Sequence, residues 1–322
     1  ASLHPEMLTL DSAVFLGNLR NIVPAQLRAD RGYAARVMQQ LAGGQLESLL
    51  DPGFLQFAVD RGGAELLAET RSVLESLVPA EQPSRVLASL AAGAFRASPQ
   101  VRDELGLDSE VLSAWISELR GRLLPTDDGL YLQDDPGSVD LWYSLLAGAA
   151  FRMAADTTGE ADEDIGRLLI RDALRLGDPQ GLLPRIVEVS GRGIGSPRGT
   201  LLPETIYPWV SENPWIPRPV SFASELGTGS WLYTLAQIQE RDITPSEIRL
   251  RIAYPRNRTH YLIWVGLEPV DPLDGMELFG ITWRDDPNFE RYSKGRHYDR
   301  SSQSLLIKYF DDTQAEDVVI RY

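Results

Sequence analysis

Two hydrophobic periods divide this chain. Up to about residue 191 apolar positions recur every three or four residues, and after about 221 they alternate. The first spacing lays a stripe along one face of a helix, and the second puts every other side chain on one face of a sheet. Ile165, Leu168, Leu169, Ala173 and Leu176 form one such stripe, with Arg167, Arg171 and Asp172 off it. Leu66, Leu67, Val73, Leu74, Leu77 and Val78 form another. Asp108-Ser109 and Gly137-Ser138 stand before helical runs as start signals, and Pro79, Pro125 and Gly177 follow runs as stop signals.

Three segments in the helical part resemble one another: RVMQQLAGG from Arg36, RVLASLAAGAFR from Arg85 and LWYSLLAGAAFR from Leu141. Each precedes a second amphipathic run, over Ala64–Val78, Ser109–Leu123 and Asp164–Leu176. Three helix pairs would suffice for a stacked array, with chance similarity among Ala- and Leu-rich helices as the alternative. Small residues such as Ala91, Gly93, Ala147 and Gly148 would let the first helix of a pair sit close to its neighbours.

In the last hundred residues Ile248, Leu250, Ile252 and Tyr254 alternate with Arg249, Arg251 and Ala253, which predicts a half-buried strand. Tyr261–Leu267 is apolar on both faces and predicts a central strand. Further strands are expected over Trp231–Ile238, Met276–Trp283, Ser304–Phe310 and Asp317–Tyr322. Short turns join most of them and no crossover helix intervenes, so the expected end module is an antiparallel β-sandwich or barrel. The fold class is therefore α+β and multidomain: an all-α helix-pair array over 1–191, a Pro/Trp-rich connector over 192–221, and a β-sandwich domain over 222–322. The connector carries six prolines with Tyr207, Trp209 and Trp215. Its first part, Gly191–Thr200, reads as a flexible linker. Its second, Leu201–Ser221, reads as a packed strap stiffened by proline.

Composition narrows the chemistry. The 322 residues are 43% apolar, enough for a sizeable core, and the longest apolar runs fall short of a membrane span. A net charge of -15 repels phosphate backbones, so nucleic acid is not an expected partner. The chain has no cysteine, which excludes disulfides, thiolate nucleophiles and cysteine-held metals; this fits a periplasmic or secreted protein, with a cytoplasmic protein of biased composition as the alternative. His4, His260 and His297 are too dispersed for a local metal motif, and His260 is expected to be a structural histidine. The acidic segment Pro125–Gly137 reads as a loop or short hairpin; it lacks EF-hand spacing and is expected to be a solvated turn. No metal and no cofactor are expected.

One connection stands out. The segment between Trp283 and Ser304 is long for a loop in a β module and interleaves Arg and Lys with aromatics. Trp283, Arg291, Tyr292, Arg296, His297 and Tyr298 are the candidate binding residues, since Arg and Tyr anchor many interfaces and rings beside charges suit sugar stacking. The expected function is non-enzymatic: a binding or scaffold protein of a bacterial envelope or extracellular space, with a protein or glycan partner. The alternative is a carbohydrate-active hydrolase or lyase using paired carboxylates.

Overall fold

The computed structural model describes residues 28–97, 99–211, 218–227, 230–254, 258–267, 275–278, 280–289, 291–292, 294–300, 303–311 and 315–321. The chain divides into two units, Arg36–Val59 with Ala64–Glu212, and Ala1–Ala35 with Asp60–Gly63 and Asn213–Tyr322. The first is mainly helical and the second mainly strand, so the fold is α+β.

The helical unit holds the second part of α1 (28–42), from Arg36 on, then α2 (Phe54–Asp60), α3 (Ala64–Ser76), α4 (Ser84–Arg96), α5 (Pro99–Glu104), α6 (Ser109–Gly121), α7 (Leu141–Thr158), α8 (Glu160–Leu174) and α9 (Pro203–Val210). The helix starts follow the capping chemistry of the sequence. Asp108 accepts from the backbone N–H groups of Glu110 and Val111, both at 2.9 Å, and opens α6. Asp140 accepts from Trp142 N–H at 3.0 Å and opens α7, whereas Gly137-Ser138, expected as the start signal, leads into a short strand over Ser138–Asp140. Small residues set how closely the helices approach. A methyl group on Gly166 of α8 would sit 2.6 Å from the Gly148 carbonyl of α7. One on Gly148 would meet Ile170 at 2.8 Å. A methyl group on Gly93 of α4 would instead run into the Pro52 carbonyl, so the shared sequence motif meets a different neighbour in each place.

The expectation of an all-helical first part needs correction, because four short strands interrupt it and a fifth falls in the expected connector. β1 (Leu123–Pro125) pairs with β2 (Leu130–Leu132), and β3 (Ser138–Asp140), β4 (Ile186–Ser190) and β5 (Gly193–Arg198) form a three-stranded antiparallel sheet. Tyr131, Val139 and Val187 from these pieces, with Leu201 just beyond β5, join Leu141, Leu145, Ile170 and Ala173 of α7 and α8 in one buried cluster. The strands thus cover the apolar face that the α7–α8 pair leaves over. Gly191–Thr200, expected as a flexible linker, is a hairpin turn leading into β5. The strap expected to follow begins with α9, entered through Pro203. Trp209 of α9 is half-buried, its ring centroid 4.5 Å from the Arg96 guanidinium, while Trp215 lies outside the described residues.

The strand unit contains β6 (Arg218–Ser221), α10 (Ala223–Leu226), β7 (Trp231–Thr234), β8 (Gln237–Thr244), β9 (Glu247–Ala253), β10 (Arg258–Val265), β11 (Gly275–Leu278), β12 (Ile281–Trp283), β13 (Gly295–Asp299), β14 (Ser304–Asp311) and β15 (Ala315–Arg321). They form two five-stranded sheets of antiparallel pairs, in the orders β13-β14-β10-β7-β6 and β12-β11-β15-β9-β8. Leu262, Trp264, Leu305 and Ile307 of the first sheet and Ile248, Leu250, Ile252, Met276 and Ile320 of the second share one core. β10 is central, as its two-faced apolar pattern predicts, and Ile263 and Val265 on its other side are buried too. Trp231–Ile238, expected as one strand, is broken after Thr234. Its hydroxyl accepts from Ala236 N–H at 3.0 Å, and the chain passes there from the first sheet to the second. Met276–Trp283 folds back at Gly280 (φ +67°) into β11 and β12.

The glycine packing has a measurable consequence. Gly166→Ala should destabilise the chain by about 1–3 kcal/mol in urea unfolding, because the added methyl overpacks α7 against α8. Gly121→Ala in α6, where the new atom meets nothing within 4 Å, should instead be neutral or stabilise by up to about 1 kcal/mol.

Candidate functional site

The 283–304 segment is not a free loop. Its second half is β13, the edge strand of the first sheet, paired with β14 from Gly295↔Lys308 to Asp299↔Ser304. Its first half is a turn built by Asp286, whose carboxylate accepts from Asn288 N–H at 2.8 Å and whose carbonyl accepts from Phe289 N–H at 3.1 Å. Phe289 then points inward and is 1% exposed. Buried Lys308 of β14 donates to the Phe289 carbonyl at 2.8 Å, with its ammonium 4.8 Å from the ring centroid.

Arg296 joins the two halves. It is 6% exposed, donates from Nε to the Trp283 carbonyl at 2.9 Å, and lies 3.2 Å from Asp285 through Nη1. The other Asp285 oxygen accepts from Tyr298 N–H at 3.4 Å. Burial lowers the Arg296 pKa, an effect opposed by the Asp285 charge, and the guanidinium stays charged because its ordinary value is so high. Tyr298 is also buried, with its hydroxyl donating to the Leu267 carbonyl at 3.3 Å. The ring of half-buried His297 lies 6.1 Å from that of Phe289.

The six candidate side chains therefore divide by position. Arg296 and Tyr298 face inward and brace the segment, Trp283 and His297 are half-buried, and Arg291 and Tyr292 stand in solvent. Tyr292 is 56% exposed, a high value for an aromatic ring, and exposed Lys294 follows two residues on. The outward chemistry is thus a ring between two cations in a chain that is acidic overall. Alternation alone could have found β13, since Arg296 and Tyr298 follow period two. The surrounding charge masks that pattern.

A second constellation, which sequence reasoning missed, lies at the start of α7. Asp140, the α7 cap, accepts from Arg185 Nε at 3.2 Å, and Asp134 accepts from Arg85 Nη1 at 2.8 Å. Tyr143 interacts electrostatically with Asp140, Arg185 and Arg85. Burial raises the Asp140 pKa in spite of Arg185, and burial beside Asp140 raises that of Tyr143. A tyrosine pushed upward keeps its proton and acts as a donor, not as a base.

The acidic turn over Pro125–Gly137 is partly built into the fold. Asp134 is held by Arg85, and Asp128 accepts from Ile194 N–H at 3.0 Å. His260 is buried against Tyr254 and Tyr309, at centroid distances of 4.6 and 5.6 Å. Among the described residues, no group of three or more His, Asp or Glu side chains is placed to hold a metal ion, and no helix is long and apolar enough to cross a membrane. No protein-family model matches this chain, and no curated protein matches it.

Asp140 provides a test of the second cluster. Asp140→Ala removes the cap and should cost about 1 kcal/mol, whereas Asp140→Asn keeps an acceptor and should cost less. The folded-state pKa of Asp140 lies above its unfolded value. Its proton-linked contribution therefore favours folding at low pH and is lost as pH rises through the folded value. Urea titrations between about pH 4 and about pH 7 should then show the wild type losing stability relative to Asp140→Asn as pH rises.

Proposed function

We propose that this chain is a non-enzymatic binding or scaffold protein that engages a protein or glycan partner through Arg291 and Tyr292. The observation that carries this reading is the division of the 283–304 segment. Its buried members, Phe289, Arg296 and Tyr298, lock the backbone to β14, and an aromatic ring with flanking cations is left in water. A ring and a guanidinium on a braced turn lose little conformational freedom on binding, and such pre-organised groups make effective anchors. Arg291 suits a carboxylate or other anionic group on the partner, and Tyr292 suits a stacked sugar or an apolar side chain.

The support behind this site would be a β-sandwich, a reading that rests on the core the two five-stranded sheets share. The helical unit would be the scaffold part, organised as helix pairs of which α7–α8 is the closest-packed example. A second reading, hydrolysis or elimination on a carbohydrate, draws on Asp140, because a carboxyl with a raised pKa suits a general acid. Its engagement with Trp142 N–H and Arg185 favours the structural role.

The binding reading is checked with the intact chain immobilised, against an extracellular-fraction pull-down and a glycan array. Arg291→Ala with Tyr292→Ala should reduce capture of specific ligands at least about 10-fold while leaving the melting temperature within about a degree. Arg296→Ala should instead lower stability by about 1–3 kcal/mol, since it leaves the Trp283 carbonyl without its donor and removes the cation beside Asp285. Equal capture by wild type and the double variant would overturn the proposal.

A further inference from the structure

The helical unit carries a concavity that the 283–304 segment does not involve. It is a groove of about 440 Å³ between the end of α3, the turn before α6, and the first half of α6. Leu74, Leu105, Leu107 and Trp115 form a buried apolar floor, and half-buried Leu77 and Val111 form its walls. The rim is acidic: Glu75 on one side and Asp108 and Glu110 on the other, all three exposed.

The charges around the groove are treated in two ways. Acids just outside it are neutralised within the fold. Glu104 pairs with Arg71 at 2.6 Å, and Glu118 pairs with Arg122 at 2.8 Å. Arg122 also donates to the carbonyls of Pro79 and Gln82, which fixes the turn that closes one end of the groove. Among the described residues, Glu75 and Glu110 have no such arginine partner. Asp108 spends its hydrogen bonds on the backbone N–H groups of the α6 cap. The result is an apolar trough edged by uncompensated carboxylates.

We propose that this groove docks a partner helix whose apolar face is flanked by Lys or Arg. Apolar side chains on one face would fill the floor, and cations on either edge would meet Glu75 on one bank and Asp108 and Glu110 on the other. A trough between a helix end and a second helix is the geometry that receives an amphipathic helix through anchors at i, i+3 and i+4. The acidic rim sets the sign of the partner and rejects an acidic helix by like-charge repulsion. Together with the braced Arg291–Tyr292 turn, the chain would carry two recognition surfaces of opposite charge preference, one in each unit.

The test uses the intact chain and a fluorescein-labelled synthetic helix of about fourteen residues, roughly four turns, built from Leu on one face and Lys on the other. Saturable one-to-one binding is expected by anisotropy, with no binding of the same peptide carrying Glu in place of Lys. Glu75→Lys with Glu110→Lys should weaken binding at least about 10-fold. Glu47→Lys with Glu188→Lys, an equal charge change at exposed acids that do not line the groove, should weaken it less than about 2-fold. Val111→Asp should abolish binding while the far-UV circular dichroism melt shows the fold intact. If that variant does not fold, the two charge-reversal pairs decide. Equal losses in both pairs would mean non-specific attraction to an acidic protein and would overturn the proposal, as would binding of the Glu peptide.

Discussion

A carboxylate or guanidinium withdrawn from water has to be given hydrogen-bond partners, and much of this fold is arranged around that requirement. Asp172 of α8 is buried because it accepts from Leu130 N–H at 2.9 Å and from Arg171 at 2.7 Å, and so ties the β1–β2 hairpin to the helix. Asp162 in the first turn of α8 is buried against Arg120 of α6 at 2.6 Å. Asp134 fastens the same hairpin region to Arg85 at the start of α4. In the strand unit Arg296 does this between Trp283 and Asp285, and Lys308 does it for Phe289. Removing one member of such a set exposes the other to an unpaid desolvation cost, so these groups belong to the structure and not to a partner.

The same requirement separates functional from structural charge. The outer face of the second sheet is dense in ions, but its ions satisfy one another: Arg251 with Asp317 at 2.9 Å, and Arg321 with Glu247 and Glu277, both at 3.2 Å. Exposed pairs of this kind add little stability each and make the sheet face polar. Arg291 and Tyr292 on the strand unit, and Glu75 and Glu110 on the helical unit, are among the described positions where charge or aromatic surface is held outward on a well-anchored backbone. That contrast supports the reading of a binding protein with recognition surfaces distributed over its units.

Much of the architecture was legible in local pattern. The α6 start could be read from Asp108-Ser109, since capping depends on the residues next to the helix, whereas Gly137-Ser138 leads into β3 and it is Asp140 that caps α7. The centrality of β10 could be read from Tyr261–Leu267, because a strand apolar on both faces has no side to give to water. Asp172 went the other way: helical periodicity places it off the apolar stripe, and only the approach of Leu130 explains its burial. At the candidate site, the density of basic and aromatic residues singles out the 283–304 segment without saying which of its side chains face outward. Arg296 and Tyr298 alternate with His297 along β13, and nothing near them in sequence shows that β14 supplies their pairing partner.

The sequence by itself determined the division into helical and strand periods, the helix caps, the central strand and the classes of chemistry that a cysteine-free acidic chain lacks. Each follows from residues within a turn or two of one another. Tertiary structure alone decided that β3, β4 and β5 cover the α7–α8 pair, that Thr234 passes the chain from one sheet to the other, and that Arg296 is a brace while Tyr292 is exposed. Those outcomes depend on which distant groups arrive to satisfy a buried donor or acceptor. Long-range pairing of that kind leaves no local periodicity for a sequence to display.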